Sequence, residues 1–306
     1  MAREYKLSIM NVRVNSRTGL KESDHDIFDV PVVHQKSIGS LKFNGQTTAV
    51  HTVPAGHGLT LDWYSRLRRS NELLVTFQGA NRPSKNIYPL FPRVNSMRDK
   101  GPAHIAFADP SLMLDKSRQL LLSWHLGGEG WDPLPLVLRV IRKAAGKTGA
   151  KHIAFIGGSG GGFAALRASA MTPGSLAFVQ EPQTDLRNYN PKSVEKYFQA
   201  GWPGWDHLQL MDALPERFDM VRHYRQARPT NFVYYTQSED DTAHVSRHFA
   251  PFGAIHGLGA QGGINAANDR NLVLYKGRVA GHGKITADEY DTHFDNAINW
   301  WRGLRV

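Results

Sequence analysis

The chain has 306 residues, 41% of them apolar and 10% aromatic, no cysteine, and a formal charge of +10 at pH 7 from 37 Lys and Arg against 27 Asp and Glu. That length and apolar content suit one large buried core with an accessory segment and exclude a disordered chain; the missing thiol excludes disulfides, thiolate metal sites and a Cys nucleophile. The basic excess is dispersed, through Arg66, Arg68, Arg69, Arg139, Arg142, Lys143, Lys147, Arg222, Arg225 and Arg228, which predicts a solvated surface and, with no recognised motif beside it, no specific nucleic-acid partner.

The N-terminal MAREYKLSIMNVRV has no apolar signal-peptide core, and no apolar run reaches the roughly 18 residues of a membrane span, so a soluble cytoplasmic protein is expected. Short β-like runs at Phe28 to Val33 and Ser40 to Phe43, broken by Gly, Asn and Ser, predict a β-rich extension over residues 1 to about 70. Leu59 to Arg69 fits either a strand or a short helix. From Asn71 strands alternate with helical segments, the pattern of a mostly parallel sheet covered on both faces, so residues 71–306 read as one doubly wound α/β domain. Its predicted strands are Leu73 to Phe77, His104 to Ala108, Leu120 to Trp124, His152 to Ile156, Ser175 to Gln180, Phe232 to Thr236 and Leu272 to Tyr275. Predicted helices run over Leu134 to Ala145, Gly162 to Ala170 and Tyr290 to Trp301. Between them, residues 181 to about 229 form an aromatic, mixed-charge insertion suited to a lid, in which Trp202 and Trp205 are candidates to touch substrate, although aromatics at helical spacing more often simply pack.

The most informative stretch is KHIAFIGGSGGGFAALRASA, where an apolar strand runs into Gly157-Gly158-Ser159-Gly160-Gly161 and then into a helix. A G-x-S-x-G motif in that context is a nucleophile elbow: the Ser sits on a sharp turn, and the positions two before and two after must be tiny for strand and helix to approach. The rival nucleotide-binding readings fit less well. No Gly-Lys-Ser/Thr follows for a Walker A loop, and G-x-G-x-x-G taken from Gly158 ends on Phe163. A looser register, Gly160, Gly162, Ala165, begins too far beyond the strand.

A Ser hydroxyl needs a base and the base needs an orienting acid, which in this fold follow in the order Ser, acid, His on loops after strands. Gln237-Ser238-Glu239-Asp240-Asp241 follows the strand ending at Thr236, and Gly281-His282-Gly283 follows the strand ending at Tyr275. Loop length favours Asp241, with Asp240 as runner-up; taken alone, such an acidic cluster would only solvate a loop or cap a helix. His282 is the expected base. His244 and His248 are its rivals; their i, i+4 spacing also suits a metal, but Val245 stands where a zinc-protease motif has Glu, so no metal is expected and His244 is assigned a supporting or substrate-binding role. Backbone N–H groups of Gly160 and of the Gln78-Gly79-Ala80 loop are the expected oxyanion donors, with Gly127-Gly128 as a competing loop.

From Asn71 onward these motifs resemble the α/β-hydrolase superfamily. Phe77-Gln78-Gly79-Ala80-Asn81, Asp109-Pro110-Ser111-Leu112, Trp124-His125-Leu126-Gly127 and Pro182-Gln183-Thr184-Asp185 are similar to its capsular-polysaccharide-biosynthesis and accessory-secretion members. The resemblance implies an esterase or acyltransferase acting on a glycan or glycoconjugate ester without a cofactor. Gly162 directly after the elbow and the long N-terminal extension depart from the pattern. Two other classes stay open: a non-catalytic scaffold of this fold binding a glycan or protein partner, and a nucleotide-binding enzyme.

Overall fold

The computed structural model describes residues 13–14, 21–22, 30–43, 48–81 and 88–304. In chain order, β1 (Arg13–Val14) pairs antiparallel with β2 (Lys21–Glu22), and β3 (Val32–His34), β4 (Thr48–Gly56), β5 (Leu59–Arg66), β6 (Glu72–Phe77) and β7 (Ala103–Phe107) follow. Then come α1 (Leu134–Thr148), β8 (His152–Gly158), α2 (Gly160–Ala170) and β9 (Leu176–Gln180). The insertion contributes α3 (Pro191–Gly201), α4 (His207–Ala213), α5 (Pro215–Phe218) and α6 (Met220–Ala227). After β10 (Phe232–Ser238), α7 (Thr242–His244) leads through a π-helical turn at Val245–Phe249 into α8 (Ala250–Ala254), and β11 (Gly262–Ile264), β12 (Arg270–Tyr275) and α9 (Ala287–Gly303) complete the chain.

Among the described residues, β3 to β12 form one ten-stranded sheet in the order β11-β12-β10-β9-β8-β6-β7-β5-β4-β3. The run from β12 to β7 is parallel, while β5 meets β7, β4 meets β5 and β11 meets β12 antiparallel. The parallel strands are apolar on both faces because helices cover both: every residue of β6, β7 and β9 is buried. One face packs against α1, α2 and the insertion through Phe77, Phe155, Phe163, Val137 and Ile141. The other packs Leu74, Ile156 and Phe178 against Phe294, Ile298 and Trp301 of α9. α1 stops where Gly149 adopts φ 79° and returns its N–H to Ala145; α9 starts on a Thr286/Glu289 capping box.

Leu59 to Arg66 is a strand, and β3, β4 and β5, all before residue 70, join the same sheet as the later strands. Of the run Phe28 to Val33, Phe28 and Asp29 lie outside the described residues, and the strand begins at Val32. Two expected strands are loops. Ser40 to Phe43 is a turn and coil that buries Leu41 and Phe43 as packing anchors. Leu120 to Trp124 is irregular because β6 already has β7 and β8 on its two edges; the loop's polar groups are met by Asp109, whose carboxylate takes the Ser123 hydroxyl and the His125 N–H at 2.8 Å each.

The insertion is pinned to the body by two arginines. Arg217 donates to the carbonyls of Leu126, Gly128 and Trp131, and Arg167 of α2, held by a two-pronged pair with Asp132 at 3.1 and 2.5 Å, donates from Nε to the Glu216 carbonyl of the insertion at 3.4 Å. Among the described residues no helix is long and apolar enough to cross a membrane.

Candidate functional site

Parallel strands present their C-terminal ends at one edge, where ligands of open α/β sheets bind. Here β8 delivers Ser159, β9 delivers Glu181 and Gln183, β10 delivers Asp241, and the loop after β12 delivers His282. Ser159 has φ 51° and ψ −123°, a strained conformation for a residue with a Cβ. Close approach enforces it: a Cβ on Gly157 would overlap the carbonyl of Gly161, and one on Gly161 would overlap the carbonyl of Phe77.

His282 Nε2 lies 3.0 Å from Ser159 Oγ, and its Nδ1 lies 2.9 Å from Asp241 Oδ2. The same Oδ2 is 2.9 Å from Nδ1 of His244, whose ring stacks on His282 with centroids 4.1 Å apart and planes at 20°. Gln183, fully buried, places Nε2 at 2.9 Å from Ser159 Oγ and 3.2 Å from His244 Nε2, while its Oε1 accepts from the Trp124 indole at 3.1 Å.

These contacts fix the direction of every proton in the network. The Trp124 indole can only donate, so the Gln183 oxygen faces it and the amide NH2 faces Ser159 and His244. Ser159 Oγ accepts from Gln183 and directs its own proton to His282 Nε2, leaving His282 Nδ1–H to donate to Asp241. His244 accepts at Nε2 and donates from Nδ1 to the same carboxylate. Burial by itself raises the Asp241 carboxyl, but the charges of His244 and His282 and the His244 N–H outweigh it and hold the acid below its ordinary value. His244 is pushed down, first by burial and then by His282. His248, with Nδ1 taking the Thr184 N–H at 3.2 Å, is driven by burial to about 3 and stays neutral.

The expected oxyanion donors divide. Gln78 is not one: its N–H is bound to Phe107 O at 3.1 Å, and its side chain is held by Asn81 at 2.5 Å and the Asp109 N–H at 2.9 Å. The N–H groups of Gly160, Gly79 and Ala80 have no hydrogen-bond partner among the described residues. His125 Nε2 donates to the Gln78 carbonyl at 3.0 Å, and because a trans peptide points its N–H opposite to its C=O, this contact sets the direction of the Gly79 N–H. Gly127 and Gly128 instead belong to the turn that Arg217 holds.

Trp202 does not line the site. It is buried in the core, its indole donates to Tyr197 Oη at 3.1 Å, and the Arg217 guanidinium lies 4.7 Å above its ring; packing outweighed contact with substrate because α3 turns it inward. Trp205 is 52% exposed and stands edge-on to Trp202. The insertion's aromatic that reaches the site is Tyr189, 5.8 Å from the Trp124 ring and 6.1 Å from that of His244. Asp240 is exposed, whereas the Asp241 side chain is 10% exposed.

Asp241, His244 and His282 bring donor atoms within 4.8 Å of one another and are the residues able to hold a metal ion. As arranged, both Nδ1 atoms are turned onto one carboxylate oxygen and both Nε2 atoms are engaged by Ser159 and Gln183. Glu181 carries no motif that sequence reasoning would single out, and Gln183 is marked only by the Pro182-Gln183-Thr184-Asp185 segment of the resemblance, without a role.

Comparison with solved structures identifies the architecture. The capsule O-acetyltransferase of Neisseria meningitidis serogroup A matches with a TM-score of 0.57 at 12% identity, covering 80% of this chain and 95% of that one. Carboxyl esterase 2 of the mycorrhizal fungus Tuber melanosporum gives 0.54 at 13% identity over 90% of this chain and 91% of its own. S-formylglutathione hydrolase of Agrobacterium tumefaciens gives 0.53 at 13% over 85% and 96%. At such identities the likeness is one of fold: an α/β-hydrolase-type sheet. No protein-family profile and no curated protein matches the chain in sequence.

Proposed function

We propose that this chain is a serine hydrolase or acyltransferase that acts on an ester through an acyl-enzyme. The observation that carries this is the line Ser159 Oγ, His282 Nε2 at 3.0 Å, His282 Nδ1, Asp241 Oδ2 at 2.9 Å, which is the geometry of a nucleophile, its base and the acid that orients the base.

Ser159 Oγ attacks the ester carbonyl as its proton passes to His282 Nε2. Asp241 holds the imidazolium that results. The N–H groups of Gly160 and of the Gly79-Ala80 turn bind the oxyanion. Collapse of the tetrahedral intermediate expels the alcohol, which takes the proton from His282 and leaves Ser159 acylated. A second hydroxyl then gives its proton to His282 and attacks the acyl group; collapse of this intermediate breaks the bond to Ser159 Oγ, which takes the proton back from His282. Water in that role makes an esterase; a sugar hydroxyl makes a transferase. Structural likeness to a capsule O-acetyltransferase supports a glycan or glycoconjugate as the acceptor or ester. The insertion over 181–229 serves as the wall of the site, with Tyr189 its contact residue and His244 supporting through the shared carboxylate.

A fluorophosphonate probe tests the first-order claim. Covalent labelling of the wild type, lost in Ser159→Ala and in His282→Ala, is expected; labelling that persists unchanged in Ser159→Ala ends it.

A further inference from the structure

His282 is served by a second carboxylate. Glu181 Oε2 lies 3.3 Å from His282 Nδ1 and accepts the Gly283 N–H from the same loop, while its Oε1 accepts from Tyr275 Oη at 3.1 Å. The side chain is 1% exposed, and the residue holds φ 45°, an unfavourable conformation for Glu that turns the chain sharply after β9. A buried carboxylate is costly unless something balances it. Among the described residues neither Glu181 nor Asp241 pairs with a Lys or Arg; their ion-pair partners are His282 alone and His244 with His282.

Sheet order explains why two acids meet one imidazole. The strands run β12-β10-β9-β8, so a loop from β12 that reaches Ser159 on β8 passes over the ends of both β10 and β9. Asp241 follows β10 and Glu181 follows β9. Asp241 is moreover divided, since one of its oxygens serves both His244 and His282.

Building on the serine reading above, we propose that Glu181 is a positioning residue that shares with Asp241 the tasks of orienting His282 and of balancing the positive charge the ring acquires during acyl transfer. The lack, among the described residues, of a Lys or Arg partner for buried Glu181 and part-buried Asp241 is then explained: the cation is the imidazolium itself. Asp241→Asn leaves one carboxylate on Nδ1, and Glu181→Gln leaves the other.

The test is the second-order rate of fluorophosphonate labelling of Ser159 in wild type, Glu181→Gln, Asp241→Asn and the double variant. Each single variant is expected to lose about 10- to 100-fold. The double variant should approach the loss of about 10⁴ seen when a lone orienting acid is neutralised. The groups facing His282 are Asp241 and His244 from beyond β10, Glu181 from β9 and, through Glu181, Tyr275 from β12. Removing the Glu181 charge should move the acidic edge of the labelling profile to lower pH, whereas Tyr275→Phe, which loosens the same carboxylate without removing it, leaves that edge in place. The inference is overturned if Asp241→Asn alone loses about 10⁴, a result that needs no folded Glu181 variant, or if Glu181→Gln labels like wild type at every pH. Absence of Ser159 labelling in the wild type would instead defeat the serine reading itself.

Discussion

Gln183 is the residue on which the hydrogen-bond directions of the site turn, so its replacement reports on the whole network. In Gln183→Leu the Trp124 indole N–H and His244 Nε2 lose their partner, and Ser159 Oγ loses its donor. Trp124 is 1% exposed, Gln183 itself is fully buried and the His244 side chain is 11% exposed, so little water can replace the amide. At about 1–3 kcal/mol for each buried polar group left unpaired, two such groups cost about 2–6 kcal/mol of stability. Gln183→Glu separates stability from chemistry. It keeps an acceptor for Trp124 but turns an acceptor toward Ser159, so the hydroxyl proton is drawn away from His282. Losing a donor to the nucleophile and adding a negative charge beside it is worth about 1.5–3 kcal/mol, or about 10- to 150-fold in rate. Urea denaturation and fluorophosphonate labelling read the two effects. The expected pattern is a large stability loss with Leu and a labelling loss that exceeds the stability change with Glu. Wild-type labelling together with wild-type stability in Gln183→Leu would refute the network.

Acid should destabilise the fold through buried histidines. Burial lowers His51 to about 4, His104 to about 3 and His248 to about 3 from an ordinary 6.5, so below about pH 6.5 the unfolded chain binds protons that the folded chain refuses, and stability falls as pH falls toward 4. Asp185 acts oppositely: burial and then Asp219 raise it to about 6, so its contribution is present at low pH and lost as pH rises through that value. From pH 7 to 5.5 the three imidazoles cost about 4 kcal/mol and Asp185 returns about 1, a net loss of about 3 kcal/mol; urea midpoints that stay level or rise would contradict this. Arg217→Ala should free the carbonyls of Leu126, Gly128 and Trp131, costing about 2–4 kcal/mol. It should also open residues 181–229 to limited proteolysis, with Arg217→Lys restoring only part because an ammonium lacks the planar fork; an unchanged cleavage pattern would show that the anchor is dispensable.

The doubly wound sheet was legible because each parallel strand is an apolar run of strand length, and the elbow because Gly157 and Gly161 bracket a Ser between a strand and a helix. The order of Ser159, Asp241 and His282 along the chain pointed to strand ends that the sheet makes neighbours, and the structure brings the three together. Leu120 to Trp124 misled because a buried loop and a buried strand have the same composition; what distinguishes the loop is its hydrogen bonding to the Asp109 carboxylate, distant in sequence. Gln78 was a plausible donor until its N–H was found on Phe107, a pairing set by β7. Glu181 was silent, and Gln183 showed only as part of the Pro182-Gln183-Thr184-Asp185 segment, since their roles depend on a positive φ on a non-glycine residue and on β9 lying between β8 and β10, neither of which sequence periodicity reports. Trp202 shows the converse: helical spacing announced an aromatic face without telling which way it would turn.

The most direct test is intact-mass and peptide-mapping spectrometry of the protein quenched at acid pH after brief exposure to a short-chain p-nitrophenyl ester. A single acyl group on the peptide containing Ser159, accumulating faster than it is lost and absent from Ser159→Ala and His282→Ala, is the predicted result. Ester turnover that proceeds equally in Ser159→Ala, or an acyl group found on another side chain, would contradict it.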